Sequence, residues 1–123
     1  MTNKDIVRQF TEEVFNQGKL ELIPQYMRED YKQHNPTVAQ GRSGFVEFAT
    51  QFTGLFPQLH LQIRHIYEDG DIVICHNLAV LKPGEIENIV FDVYRLQDGL
   101  LAEHWDCIQR LTPDQIPHKE ELY

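Results

Sequence analysis

Cysteine is scarce in this chain: Cys75 and Cys107 are the only two, with no Cys-x-x-Cys pair and no secretory context to support a disulfide framework. Both fall in strand-like stretches and read as buried, reduced thiols. No apolar run reaches the ~18 residues that a membrane span needs, and Met-Thr-Asn-Lys-Asp lacks the basic-then-apolar layout of a signal peptide. No cluster of Lys or Arg interrupts the acidic excess of 11 basic against 19 acidic residues, a net charge of −8. A nucleic-acid or anionic-membrane surface needs the opposite sign. There is also no glycine-rich phosphate loop and no Gly-x-Ser-x-Gly elbow, so nucleotide use and serine hydrolysis lack support. No helix-borne His-x-x-x-His is present either, and His104-x-Asp106 offers two same-face ligands without an evident third, which leaves a metal site as a minor alternative. The expectation is a soluble, cytoplasmic protein that uses no cofactor or metal and meets neither nucleic acid nor membrane.

What the chain does have is apolar material for one core: 41% hydrophobic and 11% aromatic residues over 123 positions. Ile6, Val7, Phe10, Val14 and Phe15 recur at helical spacing behind Thr2 or Asn3 as N-cap, and the pattern stops at Gly18. A second short helix is expected over Leu20 to Met27, with Pro24 near its start. Tyr31 to Pro36 cannot continue it, because the residue before proline is pushed towards an extended conformation, and reads as a short strand or loop. After the turn at Gly41 to Gly44, Phe45, Phe48, Ala49, Phe52, Leu55 and Phe56 mark a third helix with an aromatic core face, ended by Pro57.

From Leu59 the period becomes two. Turns at Asp69-Gly70, Pro83-Gly84 and Asp98-Gly99 divide the rest into four long strands of an antiparallel meander. Helices first and a sheet afterwards give an α+β domain over residues 1–111. Residues 112–123, with two prolines and a Lys-Glu-Glu run, read as a C-terminal arm. A sheet covered by helices on one side can enclose a pocket for a small ligand.

The last hairpin holds the candidate chemistry, in Phe91-Asp92-Val93-Tyr94-Arg95 and Glu103-His104-Trp105-Asp106. A strict two-residue turn at Asp98-Gly99 sets Asp92 opposite Trp105. A three-residue loop over Gln97 to Gly99 sets Asp92 opposite His104, turns Asp92, His104 and Asp106 to one side and Val93 and Trp105 to the other, and is the preferred register. Burial and like-charge repulsion would then raise one carboxyl pKa and let it work as an acid or base, with His104 sharing the proton; the plain alternative, equally weighted, is a set of exposed polar residues on a half-wet sheet. His34 and Asn35 are candidates for holding a substrate oxygen or, equally, for capping a turn. Trp105 and His76 complete the substrate-binding candidates, His76 fitting a partly buried, hydrogen-bonded role better than a catalytic one.

The runs Asn16-Gln17-Gly18-Lys19-Leu20, His34-Asn35-Pro36, Gly41-Arg42-Ser43-Gly44, Phe91 to Arg95 and Gly99 to Asp106 together resemble the SnoaL-like polyketide cyclase group, of the ketosteroid isomerase and nuclear transport factor two superfamily. The resemblance spans Asp5 to Gln109. It implies a cone-shaped, curved antiparallel-rich sheet closed by three N-terminal helices, a cavity among the helices, and a homodimer. It places the group's acid/base aspartate at Asp106 and puts Asp92 where the group has a histidine. Against ketosteroid isomerase only the oxyanion-hole aspartate is matched, by Asp92; the base position holds Asn35 and the tyrosine position Thr11. Against limonene epoxide hydrolase the arginine position holds Val90. The implied function is acid–base chemistry, of enolate or aldol type, on a small apolar carbonyl compound by a lyase, isomerase or cyclase. The alternative is a non-catalytic ligand-binding or dimerisation domain of the same fold.

Overall fold

The computed structural model describes all residues, 1–123. Thr2 caps the first helix, α1 (Asn3–Phe10), with a reciprocal pair of bonds: its hydroxyl accepts from the Asp5 N–H, and the Asp5 carboxylate accepts from the Thr2 N–H. The helix runs on as a wider π-helical stretch, Thr11–Asn16, and ends near Gly18 at φ 68°. The second expected helix is shorter than its sequence pattern, a 3₁₀ turn at Leu20–Leu22 followed by the single-turn α2 (Ile23–Tyr26). At Met27 the backbone becomes extended and starts a strand, β1 (Met27–Gln33).

This strand corrects the expectation of a short strand or loop after Tyr31. It pairs in parallel with the last strand, Gln33 opposite His104 and Lys32 opposite Glu103, so the sheet has five strands rather than four. Helix α3 (Gly41–Leu55) follows, then β2 (His60–Asp69), β3 (Ile72–Lys82), β4 (Ile86–Gln97) and β5 (Leu100–Arg110). The spatial order β1-β5-β4-β3-β2 keeps the meander antiparallel and places β1 at the edge beside β5.

The helices cover one face of this sheet. Val7, Phe10, Val14 and Phe15 from the first helical segment, Phe45 and Ala49 from α3, and Val73, Cys75, Tyr94 and Leu101 from the sheet form the main core. Aromatic edges meet throughout it, Phe10 against Tyr94 and Phe15 against Phe45 among them. Cys75 is buried there, whereas Cys107 lies exposed on the other face, so only one of the two thiols is buried as expected. No helix is long and apolar enough to cross a membrane.

Residues 112–123 fold back on the outer side of the sheet as a 3₁₀ helix (Ile116–Leu122). Ile116 joins Ile89 and Leu111 in a small second core, and Lys119 Nζ sits 2.7 Å from the buried Glu87 carboxylate.

Candidate active site

The register of β4 against β5 decides which side chains meet, and it is neither of the two registers that sequence offers. Asp98 and Gly99, both at positive φ, form a strict two-residue turn with Gln97 opposite Leu100, so the preferred three-residue loop is wrong. Ala102 is then inserted as an extra residue, with Leu96 opposite Leu101 but Arg95 opposite Glu103. The bulge moves every later pair by one position. Asp92 faces Asp106 and Tyr94 faces His104, so Asp92, His104 and Asp106 share the inner face, while Val93 and Trp105 pair on the outer one.

These three groups stand in the wall of a cavity of about 250 Å³, bounded by β3, β4 and β5, by α3 and by the 34–38 loop. Phe15, Phe45, Phe48 and Phe52 supply much of its apolar wall, and Arg110 is its one cationic side chain. Gln33, Asn35, Asn77, Tyr31 and Tyr94 bring further polar groups to the same wall.

The proton inventory follows from two amides. Gln33 Oε1 accepts from the backbone N–H of Asn35 at 3.1 Å, which identifies that atom as the amide oxygen. His104 Nδ1, 2.7 Å from the same oxygen, therefore carries a hydrogen. On the other side of the ring, Nε2 lies 2.8 Å from Asp92 Oδ1, so one proton sits between His104 and Asp92 whichever of them is written as its owner. The second Asp92 oxygen accepts from Asn77 Nδ2 at 2.8 Å. Asn35 Oδ1 accepts from the N–H and hydroxyl of Thr37, which turns its Nδ2 towards Asp106 at 3.0 and 3.3 Å from the two carboxylate oxygens. His104 Nε2 and Asp106 Oδ2 are 3.9 Å apart. No Lys or Arg pairs with either aspartate; the His104 imidazole is the one basic side chain beside them.

Burial, then the neighbouring Asp92 and Asp106, pushes the Tyr31 hydroxyl well above the ordinary tyrosine range, and burial and Asp92 do the same to Tyr94. Both stay neutral donors. Burial first, and Asp92 second, pushes the Cys75 thiol up to about 12.

Three expected substrate contacts are misplaced. His34 points outwards, stacks on Trp105 with ring centroids 4.8 Å apart and binds Glu103 at 2.6 Å, because the alternation that aims Gln33 and Asn35 inwards aims His34 out. Trp105, between His104 and Asp106, pairs with Val93 on the outer face, the side the preferred register gave it, and so makes no substrate contact. His76 also faces outwards, opposite Phe91 and stacked on it at 4.2 Å. Asn35 does line the cavity, where it both caps its turn and holds Asp106. Sequence reading passed over Gln33 and Asn77. Gln33 stands two residues before Asn35, and Asn77 interrupts the apolar inner series Val73, Cys75 and Ala79, the period-two signals by which both were legible.

The sequence profile of the SnoaL-like polyketide cyclases matches residues 5–80, well over half of the chain. The protein belongs to the SnoaL-like polyketide cyclase family. Among solved structures, a candidate polyketide cyclase from Acidithiobacillus ferrooxidans superposes with a TM-score of 0.78 at 23% identity, covering 95% of this chain and 94% of that one. IdmH of Streptomyces antibioticus, also a candidate polyketide cyclase, gives 0.75 at 20% identity over 99% of both chains. A SnoaL-like polyketide cyclase from Agrobacterium tumefaciens gives 0.75 at 11% identity over 100% and 99%. Identities this low show a shared fold, the nuclear transport factor two-like α+β fold, and leave the chemistry to the site. No curated protein matches the chain.

Proposed function

We propose that this SnoaL-like protein catalyses proton transfer of enolate or aldol type on a small, largely apolar carbonyl compound, as a lyase, isomerase or cyclase. The observation that carries this reading is Asp106, a carboxylate aimed into an aromatic cavity by Asn35, 3.9 Å from an imidazole that shares a proton with Asp92. Asp106 takes the proton from carbon beside the carbonyl. The proton held between His104 Nε2 and Asp92 turns to the oxygen on which charge develops, and Asp106 returns the proton it took to the product carbon, so every group ends as it began. That is a change from a simple oxyanion donor at Asp92, since both of its oxygens are already engaged.

Deuterium exchange beside the carbonyl, in ketones first selected by thermal shift, tests the reading. Asp106→Asn should leave binding nearly intact and cut exchange by roughly 10²–10⁴-fold, the usual worth of one acid–base group. Ligands that fill the cavity of the wild type without any exchange would instead favour a binding protein.

A further inference from the structure

We propose that Asp92, His104 and Asp106 also form a binding site for one divalent transition-metal ion, which competes with the proton that the reaction proposed above uses. The bulge at Ala102 supplies what His104-x-Asp106 lacked in sequence, a third ligand, by setting Asp92 directly across from Asp106. One ligand atom from each residue lies within 4.8 Å of the other two. Small side-chain rotations bring such a set around an ion at the ~2.0–2.2 Å usual for nitrogen and carboxylate ligands.

The surroundings are those of a metal site in three further respects. His104 gives its Nδ1–H to Gln33 Oε1, which leaves Nε2 as the ring atom facing both carboxylates; a ligating histidine is characteristically fixed through its other nitrogen in this way. Each carboxylate is held by an amide donor of its own, Asn77 on Asp92 and Asn35 on Asp106. The two carboxylates share a single proton-bearing imidazole and no Lys or Arg, so the cluster is short of positive charge.

Independent of the ligand set, two polar atoms in the same cavity wall are buried without a hydrogen bond of ordinary geometry: the Tyr31 hydroxyl and Asn77 Oδ1, in residues only 2% and 3% exposed. Buried unpaired groups are costly, and water or substrate oxygens held on an ion would pair them. One imidazole and two carboxylates suit Mn²⁺, Fe²⁺ or Zn²⁺. The ion takes the place of the proton between His104 and Asp92, and its remaining positions open towards the cavity.

The test is titration of MnCl₂ into EDTA-treated, dialysed protein, followed by the loss of the free-ion EPR signal. One ion per chain is expected, with nitrogen coupling from the imidazole in the electron spin-echo modulation spectrum of the bound ion. Asp92→Asn and Asp106→Asn should each weaken binding at least ~10-fold, and Gln33→Leu by ~10–100-fold, the range for a lost supporting hydrogen bond. Near-UV circular dichroism establishes that each variant is folded. No uptake up to millimolar Mn²⁺ or Zn²⁺, uptake unchanged in Asp92→Asn, or a bound spectrum without nitrogen coupling overturns the site. The deuterium-exchange assay on the EDTA-treated wild type keeps the two proposals apart. Exchange without ion binding removes only the metal site, and ion binding without exchange removes only the proposed reaction.

Discussion

Asn35 does at residue scale what an adjacent Asp106 could not do for itself. Its side-chain oxygen is tied to Thr37, its amide hydrogens point at the carboxylate, and the following Pro36 limits the backbone from which it projects. The two thiols show how differently one residue type behaves in two settings. Burial and the nearby Asp92 hold Cys75 protonated, whereas Cys107 is exposed on the outer face. Iodoacetamide at pH 8 should therefore leave Cys75 unlabelled in the native protein and label it only after denaturation. Peptide mass spectrometry reads this directly, and native labelling of Cys75 would show that the sheet opens on the labelling timescale.

At the scale of the element, the loop between β1 and α3 carries the support for Asp106, and its path is fixed by a close approach at Gly44. A Cβ there would stand 2.3 Å from the Ala39 carbonyl oxygen, a backbone atom that cannot swing away. Gly44→Ala should force α3 and the 34–40 loop apart, cost about 3 kcal/mol in urea denaturation, and disturb Asn35 enough to lower any activity resting on Asp106. A near-neutral result would mean that the loop yields without strain. The hairpin is the other element on which the site depends. Two glycine-compatible turn residues close it, and one inserted alanine reverses which side of β5 faces the cavity.

For the whole molecule, one buried carboxylate ties stability to pH. Burial opposes the charge on Glu87, but Lys119 and the Gly84 N–H outweigh it, and its carboxyl lies below the ordinary 4.5. A carboxylate lowered in the folded state contributes full stability above about pH 4.5 and loses it as the pH falls through the folded value. Lys119→Ala should thus cost about 1–3 kcal/mol at pH 7 by stranding Glu87, with the difference from wild type shrinking as Glu87 is protonated in acid. Thermal melts from pH 7 to pH 3 measure it; a constant difference would show that Lys119 acts only through packing. On the same outer side Tyr67 is 58% and Phe91 44% exposed. We propose that this face is covered by a second copy, so light scattering at micromolar concentration should give twice the 14.5 kDa chain mass, and a monomer would count against it.

Sequence by itself determined what depends on local pattern. Helical spacing of Phe10, Val14 and Phe15, the aromatic stripe from Phe45 to Phe56, and the Asp-Gly turns are repeated short-range signals, and they mark the α+β order of elements. The residue set Asp92, His104 and Asp106 was legible too, in a hairpin dense with titratable groups. Tertiary structure alone decided the rest. Parallel pairing of β1 with β5 joins segments some seventy positions apart, and no local period reports it. The turn and the bulge each shift strand pairing by one, and side chains alternate with a period of two. A wrong loop length and an unseen Ala102 insertion therefore cancelled for Asp92, His104 and Asp106, while His34, Trp105 and His76, set by the same alternation, fell on the far side of the sheet.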